Sequence, residues 1–403
     1  MEVRPILSAL LRNKVAALSI AAQIALTLAV LSNALFIVEQ RMSASRRPTG
    51  TDEANVFFIS NQWVGSDNLD ARVDADLAAI RQAPGVIDAF VSNSYPLANG
   101  GWDDGVRFAP DQSEVAHTAL YFADDHAIAA LGLTLVAGRN FEAAEVQPFH
   151  NNDVRVPTSI IVTKALADRL FPHGDALGQS VYMPSFPGKV PIVGVLARLQ
   201  VPWVAGGVNK FEGNSTLLPF RQVNAYGHYL VRARPGRISE VMHEVAETLN
   251  KLDGRRVIEK IWPLTVQRAY AYRDDRGLAI VLSVVCVALL AVTGFGIVGI
   301  TSHWVAQRRR HIGIRRALGA TRANILRYFQ IENLLISAAG VIAGIGLALA
   351  GNLWMVRHYA MLRLDPEYTL TGALLLLLLG QLAALWPALR AASISPADAT
   401  RAL

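Results

Sequence analysis

Four long apolar runs punctuate the chain: Val15 to Val38, Leu278 to Ile300, Leu334 to Val356 and Leu370 to Leu389. At 1.5 Å per residue, each is long enough to cross a hydrocarbon core about 30 Å thick. The pattern predicts four transmembrane helices over residues 15–38, 278–300, 334–356 and 370–389. None of the runs holds Asp, Glu, Lys, Arg or His, so a proton relay or ion path through the bundle has no residues to stand on. The first run is longer than the roughly 7 to 15 apolar residues of a signal peptide, so it is expected to remain as an anchor.

Polar and small residues within these runs fall at helical spacing. Ser19, Gln23 and Thr27 recur every fourth residue, as do Gly340, Gly344 and Ala348. Both stripes predict helix packing, the first through interhelical hydrogen bonds and the second through close backbone approach.

Shorter periods occupy the long stretch between the first two runs. Strand-like Asn55 to Ser60, helical Leu69 to Gln82 and strand-like Val86 to Val91 form one β-α-β group. A second comprises Tyr229 to Val231, Ser239 to Leu252 and Arg256 to Ile261. Between them, Ser159 to Val162 and Val190 to Leu196 predict strands and Lys164 to Phe171 a short helix. Ala98 to Gln112 and Ser185 to Gly213, rich in Gly, Pro, Asn and Asp, predict loops. The fold class is therefore integral membrane α-helical, with a large mixed α/β domain of two lobes (39–263) inserted between helices 1 and 2. Leu264 to Gly277 reads as a helical stalk running into the second span.

Charge adds orientation. The chain is 52% hydrophobic and 17% charged, with a net charge of +6. The link at 306–333 holds seven arginines against one acid, Glu332, which predicts that it is cytoplasmic. Four spans then place both termini inside, in keeping with Arg4, Arg12, Lys14, Arg390 and Arg401. Residues 39–277 fall outside with 24 basic and 27 acidic residues, a net of −3. The high pI is thus a topology signal, and nothing points to nucleic acid. Residues 1–14, with Ile6, Leu7, Leu10 and Leu11 opposed to Arg12 and Lys14, suit a segment at the inner membrane interface. The one cysteine, Cys286, lies within the second run, so the outer domain must hold together through its core alone.

The link also carries the candidate function. It reads Arg308-Arg309-Arg310-His311-Ile312-Gly313-Ile314-Arg315-Arg316-Ala317-Leu318-Gly319-Ala320-Thr321, then Arg322 to Glu332. Gly319 suits the left-handed position that ends one helix, and Thr321 suits the cap of another. Two short helices are expected, the second with Ile325, Leu326 and Phe329 on one face. Such a basic elbow, too short to be a domain, suits docking onto a cytoplasmic partner.

This segment closely resembles the conserved loop of the MacB/FtsX-type ABC transporter permeases. His311 is a departure, standing where that family has Glu and reversing the sign when protonated. The resemblance continues through Gly132 to Phe141, Ile161 to Phe171, Ala176 to Ser180, Pro191 to Val195 and the closing Trp386 to Pro396. It implies a MacB-like periplasmic core domain over 39–263 and an FtsX-like permease domain over 278–403. The implied ATPase-coupling residues are Arg310, Ile312, Gly313, Ile314, Arg315, Arg316, Ala317, Leu318, Gly319, Ala320, Thr321 and Glu332.

The resemblance further implies an inner-membrane, non-catalytic subunit that pairs with a second permease chain. ATP-driven movement would be transmitted to the outer domain by mechanotransmission, for export or efflux. A periplasmic adaptor and outer-membrane channel are partners on the export side of the family, and lipid surrounds the spans. The alternative is a non-transporting signalling subunit that controls a periplasmic partner such as a cell-wall hydrolase. No Gly-x-x-x-x-Gly-Lys-Ser/Thr occurs, so ATP and Mg are expected on a separate ATPase chain and no cofactor on this one. Six histidines lie in the outer domain, but no His-Glu-x-x-His or Gly-x-Ser-x-Gly accompanies them. Asp124-Asp125-His126 reads as a solvated loop before a metal site.

Overall fold

The computed structural model describes residues 14–150, 153–204, 213–359 and 362–393. Most of the expected interfacial segment at 1–14, and the end of the closing motif at Pro396, lie outside them. The chain divides into two compact units, one formed by the chain up to Ala44 together with Asp274 onward, the other by Ser45–Arg273.

In chain order, helix α1 (Lys14–Arg46) precedes the α/β unit. That unit opens with β1 (Val56–Trp63), α2 (Leu69–Gln82) and β2 (Val86–Ser92). There follow β3 (Trp102–Val106), β4 (Ala116–Phe122), α3 (Ala127–Leu131), β5 (Leu135–Gly138), β6 (Gln147–Phe149), β7 (Ile160–Thr163), α4 (Lys164–Leu170), β8 (Ser180–Tyr182), β9 (Lys189–Leu196), β10 (Ser215–Leu218) and β11 (Phe220–Gln222). It closes with β12 (Tyr226–Ala233), α5 (Ile238–Leu252), β13 (Arg256–Pro263) and α6 (Leu264–Ala271). The remaining helices are α7 (Arg273–Gln307), α8 (Arg309–Ala317), α9 (Arg322–Tyr359) and α10 (Pro366–Ala392).

The two β-α-β groups join in one antiparallel sheet of order β13-β1-β12-β2. This is the split βαβ arrangement of a ferredoxin-like fold. Period-two alternation gives the sheet two apolar faces. Phe57, Ile59, Tyr229 and Val231 face Val73, Leu77 and Ile80 of α2 and Val241, Val245 and Leu249 of α5. Phe58, Phe90 and Leu230 instead share a core with Ala119, Tyr121, Ile161, Leu196 and Leu217. Those belong to a second sheet, β3-β4-β10-β7-β9-β5 with β8 on β9, whose other face packs Leu166 and Leu170 of α4.

Two local expectations need correcting. Ala98 to Gln112 is not all loop, because Trp102–Val106 pairs with β4 at the edge of the second sheet. Its sequence, Trp-Asp-Asp-Gly-Val, has weak strand propensity, and the partner strand overrides it. The stalk also does not run unbroken into the second span. It stops at Tyr272, whose ring is buried and whose hydroxyl accepts a 2.9 Å hydrogen bond from Gln200 Nε2. That anchorage accompanies φ −99° and ψ 13°, outside the helical range.

Four helices are long and apolar enough to cross a membrane: α1, α7, α9 and α10. The small-residue stripe of α9 lies against α1. A Cβ on Gly340 would stand 2.8 Å from Ala21 O, and one on Gly344 only 3.0 Å from the Cα and O of Ala25. Ala348 is fully buried, and its carbonyl accepts from Asn33 Nδ2 at 3.3 Å. On α1, Gln23 Nε2 donates to Val292 O at 3.1 Å, and the Thr27 hydroxyl meets that of Thr293 at 2.8 Å. Ser19 departs from the expected stripe: it is exposed and donates to Val15 O of its own helix, the ordinary i−4 bond of a helical serine.

The contacts at Gly344 rank two substitutions. Gly344→Leu should displace α1 and cost more than the about 1 to 3 kcal/mol of ordinary overpacking, because backbone stands in the way. Leu347→Ala, at a position 48% exposed, should be nearly silent. Resistance of the detergent-solubilised chain to proteolysis would separate them, and equal resistance of the two variants would refute the packing argument.

Candidate functional site

The elbow begins where α7 ends. Arg308 caps α8 and turns its guanidinium onto Glu332, with Nη1 2.9 Å from both carboxylate oxygens. Glu332 is 1% exposed, so Arg308 supplies the counter-charge that makes its burial tolerable. Arg308 also lies 5.7 Å from the Trp304 ring centroid. In the sequence Arg308 is one more basic residue of the elbow. Its 24-residue separation from Glu332 leaves no local signal of the pairing.

Helix α8 ends in a Schellman motif, in which the Gly319 N–H donates to Arg316 O at 3.1 Å and the Ala320 N–H to Arg315 O at 3.0 Å. Gly319 has φ 99°, a conformation that costs glycine least. Thr321 then caps α9, its hydroxyl accepting from the Asn324 N–H at 3.2 Å. The expected second short helix is instead the first turns of α9, which continues without a break to Tyr359. No Gly or Pro falls between Arg322 and Gly340 to stop it.

Burial divides the candidate residues into two groups. Ile312 and Gly313 are buried, and Ile312 packs with Val305, Ile325, Phe329, Ala388, Ala391 and Ala392. With Glu332 they form the elbow's interior, out of direct reach of a docking partner. Arg316 and Ala320 are half-buried. Arg310, Ile314, Arg315, Ala317, Leu318, Gly319 and Thr321 are exposed. Ile314 and Leu318, four apart and 47% and 83% exposed, form an apolar tip. Arg315 lies 5.2 Å from the Tyr328 ring centroid, which holds it beside that tip. His311 is exposed and leaves the interior untouched. Gly340, Gly344 and Ala348 face α1 and take no part in the elbow.

Among the described residues, no group of three or more His, Cys, Asp or Glu is placed to hold a metal ion. Asp124, within the Asp124-Asp125-His126 run, is instead paired with Arg81 at 2.9 Å.

Comparison with known proteins bears on both units. A family model described as the MacB-like periplasmic core domain matches residues 16–248, and one described as the FtsX-like permease C-terminal matches 283–396. The macrolide export ATP-binding/permease protein MacB 1/2 of Paracoccus denitrificans is 27% identical over 356 residues, covering 83% of this chain and 48% of that protein. The ABC transporter permease YknZ of Bacillus subtilis is 25% identical over 263 residues, covering 63% of this chain and 64% of that one. The chain thus spans about half the length of the MacB relatives it matches. Among solved structures, the periplasmic region of MacB from Actinobacillus actinomycetemcomitans is 13% identical, covering 56% of this chain and 95% of that one at a TM-score of 0.34. With a core-domain match over more than half its length and a permease match over most of the remainder, the chain belongs to the MacB/FtsX-type ABC transporter permeases.

Proposed function

We propose that the elbow docks into a groove of a cytoplasmic ATPase on a separate chain, and that ATP-driven closure of that partner is transmitted to the outer domain to drive export. Both termini are cytoplasmic in this reading, residues 39–277 are periplasmic, and the two sheets are the two lobes of the periplasmic domain. The permease chain performs no catalysis and pairs with a second permease chain. An adaptor and an outer-membrane channel complete the path. The family's two established modes, export and control of a periplasmic partner, share the same elbow, and the names of the MacB relatives favour export.

One observation supports docking above all. The elbow exposes Ile314 and Leu318 at its tip, with arginines around them, over an interior closed by Ile312, Phe329 and the Arg308–Glu332 pair. A link that only set topology would need its arginines but not a rigid apolar tip.

The test is Leu318→Asp in the full chain, with Arg316→Glu for comparison. At 83% exposure, Leu318 is free to change without disturbing the fold, and burying a carboxylate in an apolar groove costs several kcal/mol. ATPase co-purification and transport-coupled ATP turnover should fall at least tenfold for Leu318→Asp, at unchanged membrane levels. Arg316→Glu, at a half-buried position, should do less, since a single surface ion pair contributes only about 0.2 to 1 kcal/mol. Wild-type co-purification with Leu318→Asp would sink the docking reading and leave the elbow as a link that only sets topology.

A further inference from the structure

A second candidate site lies wholly within the α/β unit, apart from the elbow. A cavity of about 390 Å³ opens beside the first sheet, within the roughly 300 to 1,000 Å³ of small-molecule pockets. Its floor is one cross-strand row, Lys260–Ser60–His228, from β13, β1 and β12. Trp102 and Tyr226 form walls and are 45% and 43% exposed.

Three features mark a built site. First, Ser60 pairs with Lys260 but Asn61 pairs with Ile258, so Glu259 is an extra residue in β13. This β-bulge brings Glu259 and Lys260, neighbours in sequence, to the same cavity, whereas a regular strand would point them to opposite faces. Neither is in an ion pair among the described residues, and Lys260 Nζ rests 5.0 Å from the Trp262 ring centroid.

Second, the rim loop at 95–101 holds two non-glycine residues at positive φ, Leu97 at 67° and Asn99 at 62°. Such strain persists where the surroundings enforce it. Gln267 of α6, itself buried, donates to Leu97 O at 2.6 Å, and the Asn99 N–H donates to Pro202 O at 2.9 Å. The rim is therefore preformed. Third, the buried His228 has Nδ1 3.1 Å from the Ser60 hydroxyl. Burial, with Lys260's charge adding to it, pushes its pKa down to about 4. At neutral pH the Ser60–His228 part of the floor is therefore an uncharged hydrogen-bonding surface beside the Lys260 ammonium.

We propose that this cavity binds a small zwitterion bearing a flat apolar group, the chemistry of an aromatic amino acid or its dipeptide. Glu259 receives the ligand's ammonium and Lys260 its carboxylate, while Trp102 and Tyr226 supply aromatic faces to the flat group. With one carboxylate and one ammonium, the site has no net charge to favour a simple anion or cation.

The experiment is calorimetric titration of the full chain in nanodiscs with phenylalanylglycine, alongside phenethylamine, hydrocinnamate and methyl glucoside. Phenylalanylglycine should bind saturably and at least tenfold more tightly than the other three. Glu259→Gln and Lys260→Met, both at exposed positions, should each weaken it about tenfold, the order expected of one charged hydrogen bond. The proposal is overturned by absence of saturation at millimolar dipeptide, by tighter binding of the glucoside or of either singly charged probe, or by wild-type affinity in both variants. None of these readouts involves the ATPase, so the outcome is independent of the elbow's role.

Discussion

Asp76→Ala is expected to destabilise the α/β unit by about 3 to 5 kcal/mol, the usual cost of removing one partner of a buried ion pair. The side chains of Asp76 and Arg256 are both 0% exposed and joined by two 2.7 Å hydrogen bonds. The Tyr229 hydroxyl donates a third bond to Asp76 at 2.6 Å, and the Arg256 guanidinium lies 4.1 Å from the Trp63 ring centroid. Burial, reinforced by the Asp76 charge, pushes the Tyr229 pKa well up, so the phenol remains a donor. Alanine removes the only carboxylate bonded to Arg256 among the described residues and strands the cation between the sheet and α2.

For a unit of this size the loss corresponds to a fall in Tm of roughly 10 °C, measurable by thermal unfolding of the solubilised chain. Asp76→Leu with Arg256→Met should recover much of it, because removing both charges removes the desolvation cost as well. A Tm within about 2 °C of wild type for Asp76→Ala, below the roughly 2 to 4 °C expected of even one kcal/mol, would show that the pair contributes little.

Gly319→Pro should abolish ATPase coupling while leaving membrane insertion intact. Proline holds φ near −65°, whereas Gly319 stands at 99° and its N–H donates to Arg316 O. Both the turn and one bond of the Schellman motif are lost, so α8 and its apolar tip are redirected relative to the start of α9. No heavy atom lies within 4 Å of a Cβ placed there, so the damage should stay local and the spans should assemble. Gly319→Ala should fall between, since a non-glycine residue in this region costs about 1 to 2 kcal/mol. Partner co-purification and ATP turnover at matched membrane levels give the ranking, and a proline variant that couples normally would mean that the turn has no part in docking.

Periodicity and local chemistry made much of this protein legible before its structure. A run of apolar residues long enough to span a bilayer needs no partner to be recognised. The Gly319 turn and the Thr321 cap are likewise written in neighbouring residues, because helix ends are satisfied by atoms only a few positions away. The two β-α-β groups were visible as separate groups for the same reason. Their union was not: Val56 lies opposite Arg232, and no local pattern states which distant strand completes a sheet. Tertiary structure alone placed Arg308 on Glu332, turning a candidate contact residue into an interior one, and directed the Gly340–Gly344 stripe onto α1. It also inserted the Glu259 bulge that brings adjacent opposite charges to one cavity. Each depends on contacts between segments far apart in sequence, where long-range packing decides among alternatives that local preference leaves open.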